Sequence, residues 1–145
     1  MHVEAFKPEH IKDIELNDPD TNVFNFYTHF DRKAEVYAKA GPAITLKSDD
    51  EVFAIGGVVQ YWQGVGEAWL MVSPRGRNYW MTLYKTMDKF LNDCFENGFH
   101  RIHANVVSDY KAAHRCALKL GFIPEGTMIH FGPNKENFIR YARFR

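Results

Sequence analysis

The rhythm of apolar and polar positions changes several times along the chain, and each change marks an element. Residues 2–7 alternate as a half-buried strand does, and Pro8 then suits the first turn of a helix over PEHIKDIELND. Val23, Phe24, Tyr27 and Phe30 recur toward Tyr37, which predicts a second helix ending at Gly41-Pro42. Residues 43–47 read as a strand before the turn Ser48-Asp49-Asp50. Residues 52–62 read as a longer strand whose Gly56-Gly57 pair marks a bulge. QGVG is a hairpin turn, and residues 67–72 form the next strand. The clearest helix starts near Asn78: Trp80, Leu83, Met87, Phe90, Leu91 and Cys94 fall on one stripe, and Gly98 ends it as a left-handed cap. Residues 101–107 form a strand with Ile102, Ala104 and Val106 on one face. Ser108 or Asp109 caps the next helix, whose stripe of Ala113, Cys116, Ala117 and Leu120 stops at Gly121. Residues 122–129 and 137–143 read as two final strands joined by the turn-like FGPNKE.

A helix between two strands in mid-chain is a crossover, so those strands run parallel, and the hairpins on either side make the sheet mixed. The fold class is α/β: a central mixed sheet with flanking helices. No repeat or Pro/Gly/Ser-rich linker divides the chain, so residues 1–145 are expected to form one domain.

Composition narrows the function classes. The chain is 46% hydrophobic with twelve Phe, enough to build a core. Its formal net charge is zero, which argues against a nucleic-acid binder. Cys94 and Cys116 form no paired framework and suit reduced thiols in a cytosolic protein. The opening MHVEAFKPEH lacks the apolar core of a signal peptide, and no apolar run approaches the roughly 20 residues that span a bilayer. The expectation is a cytoplasmic protein with no membrane partner. His100 and His103, three apart on a strand, point to opposite faces, and no cysteine or carboxylate cluster has ligand spacing, so no metal is expected.

The segment MVSPRGRNYW poses the chemical question, because it sets Arg-Gly-Arg-Asn where a strand becomes a helix. A helix N-terminus offers backbone N–H groups and a positive dipole end to an anion, and glycine lets the backbone approach it. The segment VSPRGRNYWMTLYKTMDKFL resembles the cofactor loop and helix of the GNAT acetyltransferase superfamily. RIHANVVSDYKAAHRCALKLGF resembles the strand and helix that follow, with the KLGF ending at Lys119-Leu120-Gly121-Phe122. The AIGG strand followed by a tryptophan-bearing strand is similar, more weakly, to small GNAT-like proteins encoded by tailed phages.

The resemblance implies a GNAT acyl-CoA N-acyltransferase-like fold in which two parallel strands, residues 67–72 and 101–107, splay apart to admit the arm of acetyl-CoA. It implies an acetyl transfer to an amine of a small molecule or protein. It places Arg75, Gly76, Arg77, Asn78 and Tyr79 at the pyrophosphate, and backbone groups of Leu70, Met71 and Val72 along the pantetheine. Asn105 and Tyr110 join them on the neighbouring strand and helix. The family's loop pattern, laid on Arg75, puts Asn78 and Trp80 at its two small-residue positions; Trp80 is a departure. Glu67 is the candidate base, because an amine must lose a proton to attack. The tyrosine that protonates the leaving thiolate in many members is replaced by Ala117. Tyr110 is the second catalytic candidate; about 10 Å away along the helix, it cannot simply replace that tyrosine, and its hydroxyl would contact the cofactor arm. His103 and Asn105 share a face that would line the acceptor side.

Mixed charge around Asp18, Asp20, Asp31, Arg32 and Lys33 would suit many amines. The last strands offer an edge that could pair two copies into a homodimer. The alternative is a catalytically silent GNAT-like protein, phage-encoded and acting in the host cytoplasm, that binds a host or virion protein through Phe24, Phe26, Tyr27 and Phe30.

Overall fold

The computed structural model describes residues 1–15 and 30–145, with backbone alone for residues 30–33. The expectations placed on Asp18, Asp20, Phe24, Phe26 and Tyr27, and on the side chains of Phe30 to Lys33, lie outside the described residues. In chain order the elements are β1 (His2–Ala5), α1 (His10–Asp13), α2 (Phe30–Lys39), β2 (Ala43–Ser48), β3 (Glu51–Trp62) and β4 (Val65–Val72). A 3₁₀ turn (Gly76–Tyr79) then leads into α3 (Trp80–Glu96), followed by β5 (Arg101–Val107), α4 (Lys111–Lys119), β6 (Ile123–Met128) and β7 (Phe138–Phe144).

The strands form one seven-stranded sheet in the order β1-β2-β3-β4-β5-β7-β6. Only β4 and β5 are parallel, as the α3 crossover requires; the other neighbours are antiparallel. Alternation along β4 and β5 sends side chains to opposite faces. Ala68 of β4 and Ile102 of β5 join Leu91, Phe95 and Leu120 in a core under α3 and α4. Trp69 and Met71 face the other way, into a core with Phe6, Ile11, Ala34 and Ile55 beneath α1 and α2. Fully burying a side chain such as Ile55 or Ile102 contributes about 1.5–3 kcal/mol. The two cores hold the sheet between two helical layers.

Four local expectations are corrected. The first helix is a single turn, because Ile14 adopts an extended backbone and bridges Val52 in parallel. Gly56-Gly57 is not a bulge: both residues keep regular register with Leu70 and Trp69, and the break falls between Gln60 and Trp62. Neither Ser108 nor Asp109 caps α4. Tyr110 is the N-cap, and the Ser108 hydroxyl donates instead to the Asn137 carbonyl at 2.9 Å, tying the end of β5 to β7. The 3₁₀ turn occupies the residues where α3 was expected to start. Gly98 and Gly121 do end their helices at positive φ, 117° and 83°. No helix among the described residues is long and apolar enough to cross a membrane.

Candidate functional site

Strands β4 and β5 pair only through Val65–Arg101, Gly66–Ile102 and Glu67–His103. Beyond that point they diverge, and a cleft of about 310 Å³ opens between them. Leu70, Met71 and Val72 line it from β4, and Asn105, Val106 and Val107 from β5. Trp69 and Tyr37 close it toward α2, while Trp80, Met87 and Cys116 close it toward α3 and α4. The gap therefore passes through the plane of the sheet and opens on both layers. A separated strand edge presents N–H and C=O groups to whatever enters, with walls that are otherwise apolar.

At the mouth, Arg77 reaches from the 3₁₀ turn to α4, where its Nη2 donates to the Tyr110 hydroxyl at 2.5 Å and its guanidinium lies 6.0 Å from the Tyr110 ring. The other four residues of the loop are used differently. Arg75 pairs with Glu51 at 2.9 Å on the surface. Gly76 puts its N–H on the Ser73 hydroxyl at 2.9 Å, and its bare Cα faces the Phe53 carbonyl, where a Cβ would sit 2.5 Å away. Asn78 spends its N–H on the Arg75 carbonyl at 3.1 Å, and Tyr79 packs edge-on against Phe53 at 5.3 Å. Of the five loop residues expected at a pyrophosphate, the structure thus brings Arg77 to the cleft and turns Arg75, Gly76, Asn78 and Tyr79 toward other partners. Gly76 lets the turn pack closely on β3.

Trp80 does not fill the cleft. It forms part of its wall, 39% exposed, beneath the Lys119 ammonium at 4.7 Å and beside Tyr84. A cation over an indole face contributes about 0.5–1 kcal/mol at such a site. Ala117 lines the cleft without a hydroxyl, and burial pushes the neighbouring Cys116 thiol up, away from the reactive thiolate. His114 is structural. Its Nε2 faces the Val107 and Ser108 carbonyls, so it carries the proton, and Nδ1 accepts from the buried Tyr141 hydroxyl at 2.8 Å.

A polar cluster sits where the strands part. Glu67 Oε1 accepts a hydrogen bond from Asn105 Nδ2, and Asn105 Oδ1 in turn accepts from Arg140 Nε at 3.0 Å. Tyr61, the extra residue at the β3 register break, lies against the same carboxylate; burial, then the Glu67 charge and hydrogen bond, raises its phenol pKa. Burial and the same charge raise the Tyr37 phenol. His103 is 3% exposed, and its Nε2 stands 3.5 Å from Glu67 Oε1, too far for a hydrogen bond. Sequence reasoning found Glu67, His103 and Asn105 because β4 and β5 carry them. It missed Arg140 and Tyr61, whose places depend on β7 lying next to β5 and on a one-residue break in β3. Neither leaves a signal in the sequence.

No protein-family model matches the sequence, and no curated protein does. The fold does match solved structures. One, assigned as a phosphinothricin N-acetyltransferase, superposes with a TM-score of 0.77 at 10% identity, over 99% of this chain and 97% of that one. The ribosomal-protein-alanine N-acetyltransferase of Brucella melitensis gives 0.71 at 11% identity over the whole of both chains. A Salmonella typhimurium protein assigned as an acetyltransferase, solved with its cofactor acetyl-CoA, gives 0.71 at 12% identity over 99% of this chain and 92% of that one. The resemblance to phage-encoded proteins finds no counterpart among these three. A mixed seven-stranded sheet, forked between its parallel strands and clasped by helices, is the fold of the GNAT N-acetyltransferases.

Proposed function

We propose that this chain is an N-acetyltransferase that moves an acetyl group from acetyl-CoA to an amine. The observation that carries this reading is the end of β4–β5 pairing at Glu67–His103. A sheet interior normally has every strand edge paired, because buried unpaired N–H and C=O groups are costly. An edge opened in mid-sheet suits a ligand that hydrogen-bonds like a strand, and a pantetheine arm with its two amides is such a ligand. One fold-mate is solved with acetyl-CoA as its cofactor.

The residues present fit that co-substrate. The β4 edge at Leu70, Met71 and Val72 would hold the arm, with Asn105 opposite. Arg77 would meet the phosphates beside the start of α3, whose dipole adds positive potential. Tyr110 would orient Arg77 and reach the arm with its hydroxyl. Arg75 would contribute only by leaving Glu51. Acetyl-CoA supplies the activated thioester; the protein supplies position and proton handling. Backbone N–H groups at the fork would polarise the thioester carbonyl, and the half-buried Glu67 carboxylate would take a proton from the incoming ammonium. With Ala117 lacking a hydroxyl, the leaving thiolate would take its proton from water or from the amine.

The acceptors named for the first two fold-mates, phosphinothricin and a ribosomal-protein alanine, are a small molecule and a protein. The acceptor proposed here is therefore an amine of a small molecule or of a protein. Calorimetric titration with acetyl-CoA tests binding, and thiol release over a panel of amines tests transfer. Glu67→Gln is expected to lower kcat by about 10²–10⁴-fold while leaving acetyl-CoA binding intact. Absence of binding at millimolar acetyl-CoA would refute the enzymatic reading and leave a recognition role.

A further inference from the structure

Among the described residues, His103 is the buried histidine with neither ring nitrogen hydrogen-bonded. His10, equally buried, has Nδ1 2.7 Å from the Thr45 hydroxyl and Nε2 3.1 Å from Glu4. His114 is bonded through both nitrogens. His103 instead stands at the last position where β5 pairs with β4, opposite Glu67, with its ring edge-on to Tyr61 at 5.2 Å. Buried polar atoms are nearly always paired, so an unpaired imidazole aimed at the fork carboxylate calls for a role.

We propose that His103 receives, through Glu67, the proton that the acceptor amine gives up. The inference rests on the acetyltransferase reading above. His103 is too buried to meet the acceptor, so it acts as a positioning and relay residue behind Glu67. In the step proposed, one N–H bond of the bound ammonium breaks and the proton passes to a Glu67 oxygen. It then passes to His103 Nε2, where a new N–H bond forms. The neutral amine attacks the thioester carbonyl, the C–S bond breaks, and a second amine proton leaves with the thiolate as thiol.

The chemistry favours an imidazole as the resting place. Reference basicities are about 6.5 for an imidazole and about 4.3 for a carboxylate, against about 10.4 for an alkylammonium. The imidazole is thus the better match by about a hundredfold. A shift of about 0.5 Å brings the 3.5 Å Nε2–Oε1 separation to hydrogen-bond length. The charged and titratable neighbours are Glu67 from β4, Tyr61 from β3, Arg140 from β7 through Asn105, and Glu125 from β6, itself held by Arg101.

The test compares kcat and KM from about pH 4 to 9 for the wild type and His103→Asn. The amide keeps polarity but carries no proton. The expected result is a 10- to 100-fold loss of kcat at neutral pH with KM little changed. The acidic limb should also move down by about two pH units, the gap between imidazole and carboxylate. A wild-type pH profile in the variant overturns the relay while leaving the acetyltransferase standing; a wild type that does not bind acetyl-CoA overturns both. Should His103→Asn not fold, imidazole NMR of His103 in the wild type and in Glu67→Gln reads the same coupling without turnover. Loss of the carboxylate should lower the His103 titration midpoint, and an unmoved midpoint overturns the proposal.

Discussion

Replacing Gly76 by alanine tests how the sheet positions the start of α3. The Cβ would lie 2.5 Å from the Phe53 carbonyl oxygen and 3.2 Å from the Ser73 hydroxyl. Phe53 cannot yield easily, because its carbonyl already accepts the Ser73 N–H at 2.8 Å within the β3–β4 half of the sheet. The turn must therefore move. Reaching the onset of ordinary contact at 3.4 Å from 2.5 Å takes about 0.9 Å, which stretches the 2.9 Å Gly76 N–H to Ser73 bond beyond use. A lost hydrogen bond costs about 1 kcal/mol, and overpacking a tight site about 1–3 kcal/mol. The stiffer unfolded chain returns about 0.4–1 kcal/mol. The net is a destabilisation of about 2 kcal/mol. At this chain length each kcal/mol moves Tm by about 2–4 °C, so thermal unfolding followed by circular dichroism should shift by about 4–8 °C. Acetyl-CoA affinity should fall with it, because Arg77 rides on the same turn. An unchanged melting point would show that the turn has slack on β3 and that Gly76 is not needed there.

Two further outcomes can be checked directly. Burial pushes the Cys94 thiol up to about 11 and raises Cys116 as well, so in the native protein both should react slowly with a thiol reagent at pH 8; denaturation should release two reactive thiols, and acetyl-CoA should further protect Cys116, which lines the cleft. Arg101 clasps Glu125 through both guanidinium nitrogens, and that hydrogen bond holds the Glu125 carboxyl below the usual carboxylate range. A lowered native pKa stabilises above the unfolded value and is lost as pH falls through the native one. Glu125→Gln should therefore cost less than about 1 kcal/mol at neutral pH, and urea titrations should show the difference vanish on acidification.

The fold was legible where periodicity is long. The stripe from Trp80 to Cys94 and the alternation around Ile102, Ala104 and Val106 gave α3, β5 and the parallel step between β4 and β5. Short elements were less so. The turn of α1 ends where Ile14 turns to pair with Val52, and that partner lies 38 residues on, beyond the reach of any local pattern. The loop motif carried a similar ambiguity. Arginine and glycine before a helix suit phosphate approach, yet Gly76 is required by the Phe53 carbonyl and Arg75 by Glu51, both contacts set by tertiary structure. Glu67 could be named from its strand, but its companions Tyr61 and Arg140 come from a register break and from the strand order.

That strand order has a consequence for biogenesis. β7 lies between β5 and β6 although it is the last of the three to be made, about thirty residues after β5. At about 5–20 residues per second on the ribosome, the outer rim of β5 waits some seconds for its neighbour, a bare edge of the kind that recruits other chains. Nascent polypeptide is thus most vulnerable to aggregation just before β7 emerges. Trimming those seven residues would remove the strand that holds β6 to β5 and leave β5 as a bare edge.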